Sequence, residues 1–230
     1  RDIGMIDDIA DAPQGSVVVF TAHGHEKSAE EKARERKLII YDAVCPLVKK
    51  NLTTIAKEKE RGHQVIYIGY RSHPETIAAL SSNENVHLYA IKEGVDFSRI
   101  EDVSPLIINQ TTLNILSLKE MHEDIKKHLP LARFQDEICR ATRSRQEALL
   151  TLSEDVDAII VVGSQKSSNA KRLYEIAKEK HPGMDVFLLE DYKQLPVATL
   201  KGKKHIAISS SASTPLSIIE EIKTELLIIK

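Results

Sequence analysis

The chain contains no tryptophan, and aromatic residues make up only 4% of its 230 positions. Stacking platforms for single-stranded nucleic acid are built from such rings, so their scarcity argues against a nucleic-acid partner. An excess of one charge is lacking too. Lysine and arginine number 32 against 34 acidic residues, a formal net charge of −2, so bulk charge implies no polyanion. No apolar run reaches the length of a membrane span, and no signal-peptide pattern opens the sequence, so no membrane partner is expected. Cysteine is scarce. Cys45 and Cys139 do not make a secreted disulfide scaffold, and a reduced, cytoplasmic setting is expected. Low-complexity segments and long linkers are missing as well. The sequence opens at Arg1 without a methionine, which reads as an excerpt of something longer.

What remains is ordinary globular material, 42% apolar and 29% charged. Short β-branched runs alternate with helical patterns. The strand candidates are Ser16 to Ala22, Leu38 to Asp42, Gln64 to Gly69, Val86 to Ile91, Pro105 to Gln110, Ala158 to Gly163, Asp185 to Glu190 and His205 to Ser211. Several are apolar on successive residues, the pattern of strands covered on both faces. Amphipathic helices lie between them. Val48, Leu52 and Ile55 share one face, as do Leu173, Ile176 and Ala177, and Ile218, Ile222 and Leu226. Strands alternating with helices predict an α/β fold with mainly parallel sheets.

An internal repeat is present. Positions 45 and 139 are both cysteine, 94 residues apart, and the following stretches align without a gap. Each cysteine opens a helix pattern, then comes an apolar strand, then a glycine 24 positions after the cysteine, Gly69 or Gly163. His73-Pro74-Glu75 then falls on Ser167-Ser168-Asn169. Any two βα units can be overlaid in part, but here cysteine, glycine and polar cluster agree together.

In open parallel sheets, ligands sit beyond the carboxyl ends of the strands, where helix N-termini favour anions. Short polar residues recur at that junction. They include His23 after the first strand, Cys45 before Pro46, His73 and Glu75 around Pro74, and Thr111 with Thr112. The series continues with Ser167, Ser168 and Asn169, then Ser213 and Thr214 before Pro215. Helix capping explains any one of them alone. Together they predict a polar pocket for a small, highly charged ligand such as a diphosphate.

Both cysteines are placed at strand-to-helix junctions, on the same side of the sheets as those clusters. A thiol at a helix N-terminus is a good metal ligand, and no CxxC spacing supports a zinc ribbon. If the repeats are related by rotation, their sulfurs converge on an axis. Extending the period backwards puts a third cysteine upstream of Arg1. Three such thiolates would hold an iron–sulfur cluster with one iron free for substrate. The plain alternative is two buried structural cysteines.

Seven ordered motifs give a specific resemblance. They are "TAHG", "DAVCPLVKK", "SHPE", "NQTTL", "EICRATRSRQEA", "VVGSQKSSNAKRL" and "SASTP". The chain resembles, over nearly its whole length, the LytB family of 4-hydroxy-3-methylbut-2-enyl diphosphate reductases. The resemblance implies a pseudo-threefold arrangement of small α/β domains around a central cavity, the first of them truncated. The expected divisions are 1–45, 46–138 and 139–230. It implies an oxidoreductase of isoprenoid biosynthesis that removes a hydroxyl reductively, giving isopentenyl and dimethylallyl diphosphate, with ferredoxin or flavodoxin as electron donor. Cys45 and Cys139 would be ligands of a 4Fe–4S cluster. His23, His73, Ser167, Ser168, Asn169 and Ser213 would bind the substrate diphosphate. Glu75 would feed protons and Thr111 would position the hydroxyl.

Departures from the family pattern are Tyr70 and Ser72 in "GYRSHPE", "TIAAL" after Glu75, Asn109 in "NQTT" and Ser211 in "SAS". The family's first cysteine lies ahead of the stretch matched here and its tail beyond Lys230, so this chain is expected to hold at most an incomplete cluster. Two other readings are a non-catalytic diphosphate-binding relative and a dithiol redox protein using Cys45 and Cys139.

Overall fold

The computed structural model describes residues 3–229. The chain divides into two compact units. One runs to Thr111 and includes Met121–Glu137. The other comprises Thr112–Glu120 and the chain from Ile138 onward.

The first unit opens with β1 (Val17–Phe20), α1 (Lys27–Glu35) and β2 (Ile39–Asp42). There follow α2 (Pro46–Glu60), β3 (Val65–Gly69), α3 (Pro74–Ser82), β4 (Val86–Ala90) and β5 (Leu106–Asn109). Then come α4 (Ile115–His128), which begins in the second unit, and β6 (Arg133–Gln135). The second unit continues with α5 (Arg140–Leu150), β7 (Ala158–Val162), α6 (Ser168–Lys180), β8 (Asp185–Leu189), α7 (Val197–Leu200), β9 (Ile206–Ser210) and α8 (Leu216–Ile229). All eight expected strands form. β6 is an addition: its three half-buried residues contain no apolar run to announce it.

Every strand pairing is parallel. β1 pairs β2; a four-stranded sheet has the order β4-β3-β5-β6; a three-stranded sheet has the order β8-β7-β9. β3, β5 and β7 are buried throughout, which is why their sequences are apolar on successive residues. In the first unit, Val18, Phe20, Ala33 and Val48 form one core. Ile55, Val65, Tyr67, Ala79, Val86, Leu106 and Ile108 form another. In the second unit, β7 sends Ile159 and Val161 to the face shared with Leu149, Leu173 and Ile176. It sends Ala158, Ile160 and Val162 to the face holding Leu189, Leu200 and Ile222. Each fully buried aliphatic side chain of this kind contributes about 1.5–3 kcal/mol by leaving water. Among the described residues no helix is long and apolar enough to cross a membrane.

The order of the strands fixes where ligands can sit. From β3 the chain goes to β4 on one side and then to β5 on the other. From β7 it goes to β8 and then to β9. The loops at the carboxyl ends of β3 and β5 therefore part and leave a crevice, and so do those after β7 and β9.

Candidate functional site

The first crevice is built by β3, α3 and the turn after β5. β3 ends at Gly69, and Pro74 starts α3, with His73 as its N-cap. The Glu75 backbone N–H donates to His73 Nδ1 at 3.2 Å. That contact makes Nδ1 the acceptor, so the neutral ring carries its proton on Nε2. Glu75, in the first turn of α3, is 3% exposed. Thr111 donates to it twice, from its backbone N–H to Oε2 at 2.8 Å and from its hydroxyl to Oε1 at 2.7 Å. Thr111 is available for this because α4 starts only at Ile115, where the Asn114 side chain caps the helix by accepting from Leu116 N–H at 2.8 Å.

Burial pushes the Glu75 carboxyl above its ordinary value. The two Thr111 bonds, the nearby His23 and a hydrogen bond from Tyr67 each pull it back. The result is a carboxyl that keeps its proton to higher pH than an exposed glutamate and is therefore suited to giving one up. His23 stands in an edge-to-face pair with His73, ring centroids 5.6 Å apart. Its loop reaches that place through Gly24, which has φ +88° and whose added Cβ would lie 3.3 Å from both Ala78 Cβ and Val48 Cγ1. Asn109 is integrated locally: its amide donates to Gln110 O at 3.0 Å and accepts from Glu137 N–H at 3.1 Å.

The second crevice is built by β7, α6 and the turn after β9. Ser167 is the N-cap of α6, its hydroxyl accepting from Ala170 N–H at 3.3 Å. The Ser168 hydroxyl lies 3.2 Å from that of Thr112. Asn169 is 8% exposed, and its Oδ1 has no partner within the protein. A buried amide atom left unpaired marks a place that a further polar group completes. After β9, the Ser211 hydroxyl is 3.3 Å from that of Ser213 and 2.9 Å from that of Thr214, which donates to Val162 O at 3.0 Å. Gly163 permits this convergence, since an added Cβ would meet Ala170 Cβ at 2.9 Å and Ser211 Oγ at 3.1 Å.

The repeat holds in three dimensions. Cys45 is the residue before α2 and Cys139 the residue before α5. Their backbones are nearly the same, with φ/ψ of −54°/134° and −53°/130°. Each then leads through a helix and a buried strand to a glycine and a capping residue, His73 or Ser167. Both thiols are free and half-buried, and neither makes a capping hydrogen bond. Among the described residues no group of three or more His, Cys, Asp or Glu side chains forms a ready-made metal cage, so the thiols are the donors to consider. Free, accessible thiols at helix N-termini fit an iron–sulfur ligand role.

The first crevice thus gathers His23, His73, Glu75 and Thr111. The second gathers Ser167, Ser168, Asn169 and Ser213. Sequence reasoning missed Gln110, whose Oε1 accepts from Tyr70 N–H at 3.1 Å.

Comparison with known proteins gives a consistent result. The family described as LytB protein matches residues 1–227. The 4-hydroxy-3-methylbut-2-enyl diphosphate reductase of Malacoplasma penetrans is 34% identical over 209 residues, 90% of this chain and 69% of the relative. The enzyme of the same name from Bacillus thuringiensis (strain Al Hakam) is 36% identical over 216 residues, 94% of this chain and 68% of the relative. Among solved structures, the E-1-hydroxy-2-methyl-but-2-enyl-4-diphosphate reductase from Plasmodium falciparum superposes with a TM-score of 0.85 at 30% identity. The match covers 97% of this chain and 70% of that one. A second reductase structure, described as the terminal enzyme of the non-mevalonate pathway, gives a TM-score of 0.62 at 30% identity over 95% of this chain and 78% of that one.

Proposed function

The chain belongs to the LytB protein family, and on that premise we propose that it is a reductase of 4-hydroxy-3-methylbut-2-enyl diphosphate. In this reaction the carbon–oxygen bond to the terminal hydroxyl breaks and the oxygen leaves as water. Two electrons and two protons are consumed, and isopentenyl or dimethylallyl diphosphate results. The electrons come from a carrier such as ferredoxin or flavodoxin.

The observation that carries the reading is Glu75. A buried carboxyl with a raised proton affinity, doubly hydrogen-bonded and set at a strand-end crevice, is what proton delivery to a leaving hydroxyl requires. Thr111 fixes the orientation of that carboxyl and sits beside it to orient the hydroxyl. His23 and His73 provide ring N–H donors for phosphate oxygens. Ser167, Ser168, Asn169 and Ser213 provide hydroxyl and amide groups for the same purpose, and the N-terminus of α6 adds backbone N–H groups. Cys45 and Cys139 are the thiols through which this chain would hold an iron–sulfur group. When bound, that group supplies electron transfer and a Lewis-acidic iron.

The test is turnover with a reduced viologen dye after anaerobic reconstitution with iron and sulfide, on the chain joined to an N-terminal segment of the family that supplies the third cysteine. Replacing Glu75 by Gln should lower kcat by about a hundredfold or more, the usual worth of a positioned proton donor, while pyrophosphate affinity stays the same. A Glu75→Gln variant as fast as the parent would refute the assignment.

A further inference from the structure

We infer that Asp42 is a positioning residue for the Cys45 thiol: with Lys49 it closes a ring of hydrogen bonds around the turn that presents this cysteine. A side chain at a helix N-cap ordinarily folds back to accept a backbone N–H. Cys45 is the N-cap of α2 and makes no such bond. Its thiol is thereby left for another ligand, and the turn is held from outside the cysteine.

The hold comes from the last residue of β2. Asp42 Oδ1 accepts from the Val44 N–H at 3.0 Å, and its Oδ2 pairs with Lys49 Nζ at 2.6 Å. The Lys49 backbone N–H in turn donates to Cys45 O at 3.0 Å. One carboxylate thus grips the peptide before the cysteine and the helix turn after it. Two more bonds register the turn on the loop after β1. Ala43 N–H donates to Phe20 O at 3.1 Å and Cys45 N–H to Ala22 O at 3.0 Å, and the next residue of that loop is His23.

Helix formation does not ask for this arrangement. A cation in the first turn of a helix opposes the helix dipole. Lys49 nevertheless stands there, and α2 has no acidic residue in its own first turn. Asp42 supplies the missing negative charge from upstream. Lys49, chiefly, holds the Asp42 carboxyl below its ordinary value against the opposing effect of burial, so the pair is ionic at neutral pH. The repeat that lays Cys45 on Cys139 also lays Asp42 on Asp136 and Lys49 on Arg143. The Arg143 N–H donates to Cys139 O at 2.8 Å, as Lys49 does to Cys45. A carboxylate three residues before each cysteine and a cation four residues after it therefore accompany both thiols.

The functional consequence rests on the reading of Cys45 as an iron–sulfur ligand, whereas the ring does not. Amide hydrogen exchange on the metal-free chain tests the ring. The Cys45 amide should exchange about tenfold faster in Asp42→Ala and in Lys49→Met, the scale of one lost hydrogen bond, and like the parent in Lys49→Arg. Unchanged exchange in both variants overturns the inference. The second measurement is the rate at which a chelator takes iron from the reconstituted chain joined to the family segment carrying the third cysteine. Asp42→Ala and Lys49→Met should each lose iron about tenfold faster, as when a partner supporting a metal ligand is removed. Their urea midpoints should stay near that of the parent, because the pair is half-exposed. Glu30→Ala breaks a similar surface pair with Arg34 in α1 and should leave iron release unchanged. Equal acceleration in Glu30→Ala overturns the inference, as does iron loss that merely follows a lower urea midpoint. So does a normal rate in both Asp42→Ala and Lys49→Met when Cys45→Ser loses iron quickly. If Cys45→Ser holds iron as firmly as the parent, the ligand reading is what fails, and amide exchange alone decides whether Asp42 orders the turn.

Discussion

Replacing Gly69 by Ala tests the packing on which the first crevice depends. The residue ends β3 in an extended conformation, so alanine meets no backbone penalty there. The penalty is contact: the added methyl collides with Thr76 Oγ1 and crowds Tyr67 Cε1 at 3.2 Å. Overpacking of one methyl in a closed core costs about 1–3 kcal/mol. Against this stands a gain of about 0.4–1 kcal/mol, because alanine narrows the unfolded ensemble. The expected net destabilisation is about 1–2 kcal/mol. Thr76 gives a sharper version of the test. It is fully buried and its hydroxyl has no hydrogen-bond partner, so Thr76→Ala removes an orphaned polar atom and should be close to neutral. The same change empties the space that the new methyl needs. Gly69→Ala combined with Thr76→Ala should therefore be about as stable as Thr76→Ala alone, a coupling of about 1–2 kcal/mol in a double-mutant cycle. Urea denaturation followed by far-UV circular dichroism measures it. Additive losses in the double variant would show that Thr76 is not what the glycine avoids.

Further outcomes follow from other sites. The Glu58 carboxyl is held below the ordinary carboxylate range, chiefly by its bond from Arg133 and against the opposing effect of burial. A depressed folded-state value gives stability that is present above the ordinary value of 4.5 and lost as pH falls through the lower one. Acid unfolding of the parent should accordingly be steeper than that of Glu58→Gln, which should cost about 1–3 kcal/mol at neutral pH. Gln146 is fully buried, accepts from Ile115 N–H at 2.9 Å and donates to Leu113 O at 2.9 Å. Gln146→Ala strands both backbone groups and should cost about 2–4 kcal/mol in thermal or urea unfolding. A loss under 1 kcal/mol would mean that other groups satisfy the start of α4. Ser167→Ala and Asn169→Ala should each weaken pyrophosphate binding by calorimetry about fivefold to tenfold. Unchanged affinity in both would remove the second crevice from the diphosphate site.

Much of this architecture was legible beforehand, for identifiable reasons. The runs "VIYIG" and "AIIVV" are apolar on consecutive residues because β3 and β7 are interior strands of their sheets, buried on both faces. The repeat was legible because cysteine, glycine and cap occupy fixed places in each βα unit, and a one-residue slip would move every one of them. β6 was invisible because an edge strand of three half-buried residues, Arg133 among them, needs no apolar alternation. Thr111, Thr112 and Asn114 are all acceptable caps for α4, so the sequence singles out none of them. The structure uses Asn114 and leaves Thr111 to Glu75.

The side chains of Cys45 and Cys139 stand at helix entries without capping those helices. The sequence has no other cysteine. A nitroxide label can be attached at both positions with no prior mutagenesis, and the electron spin coupling between the two labels then becomes a ruler for how the two units are set in solution. Loading the protein with iron and sulfide before labelling would protect whichever thiols the metal occupies, so the same reagent doubles as a footprint.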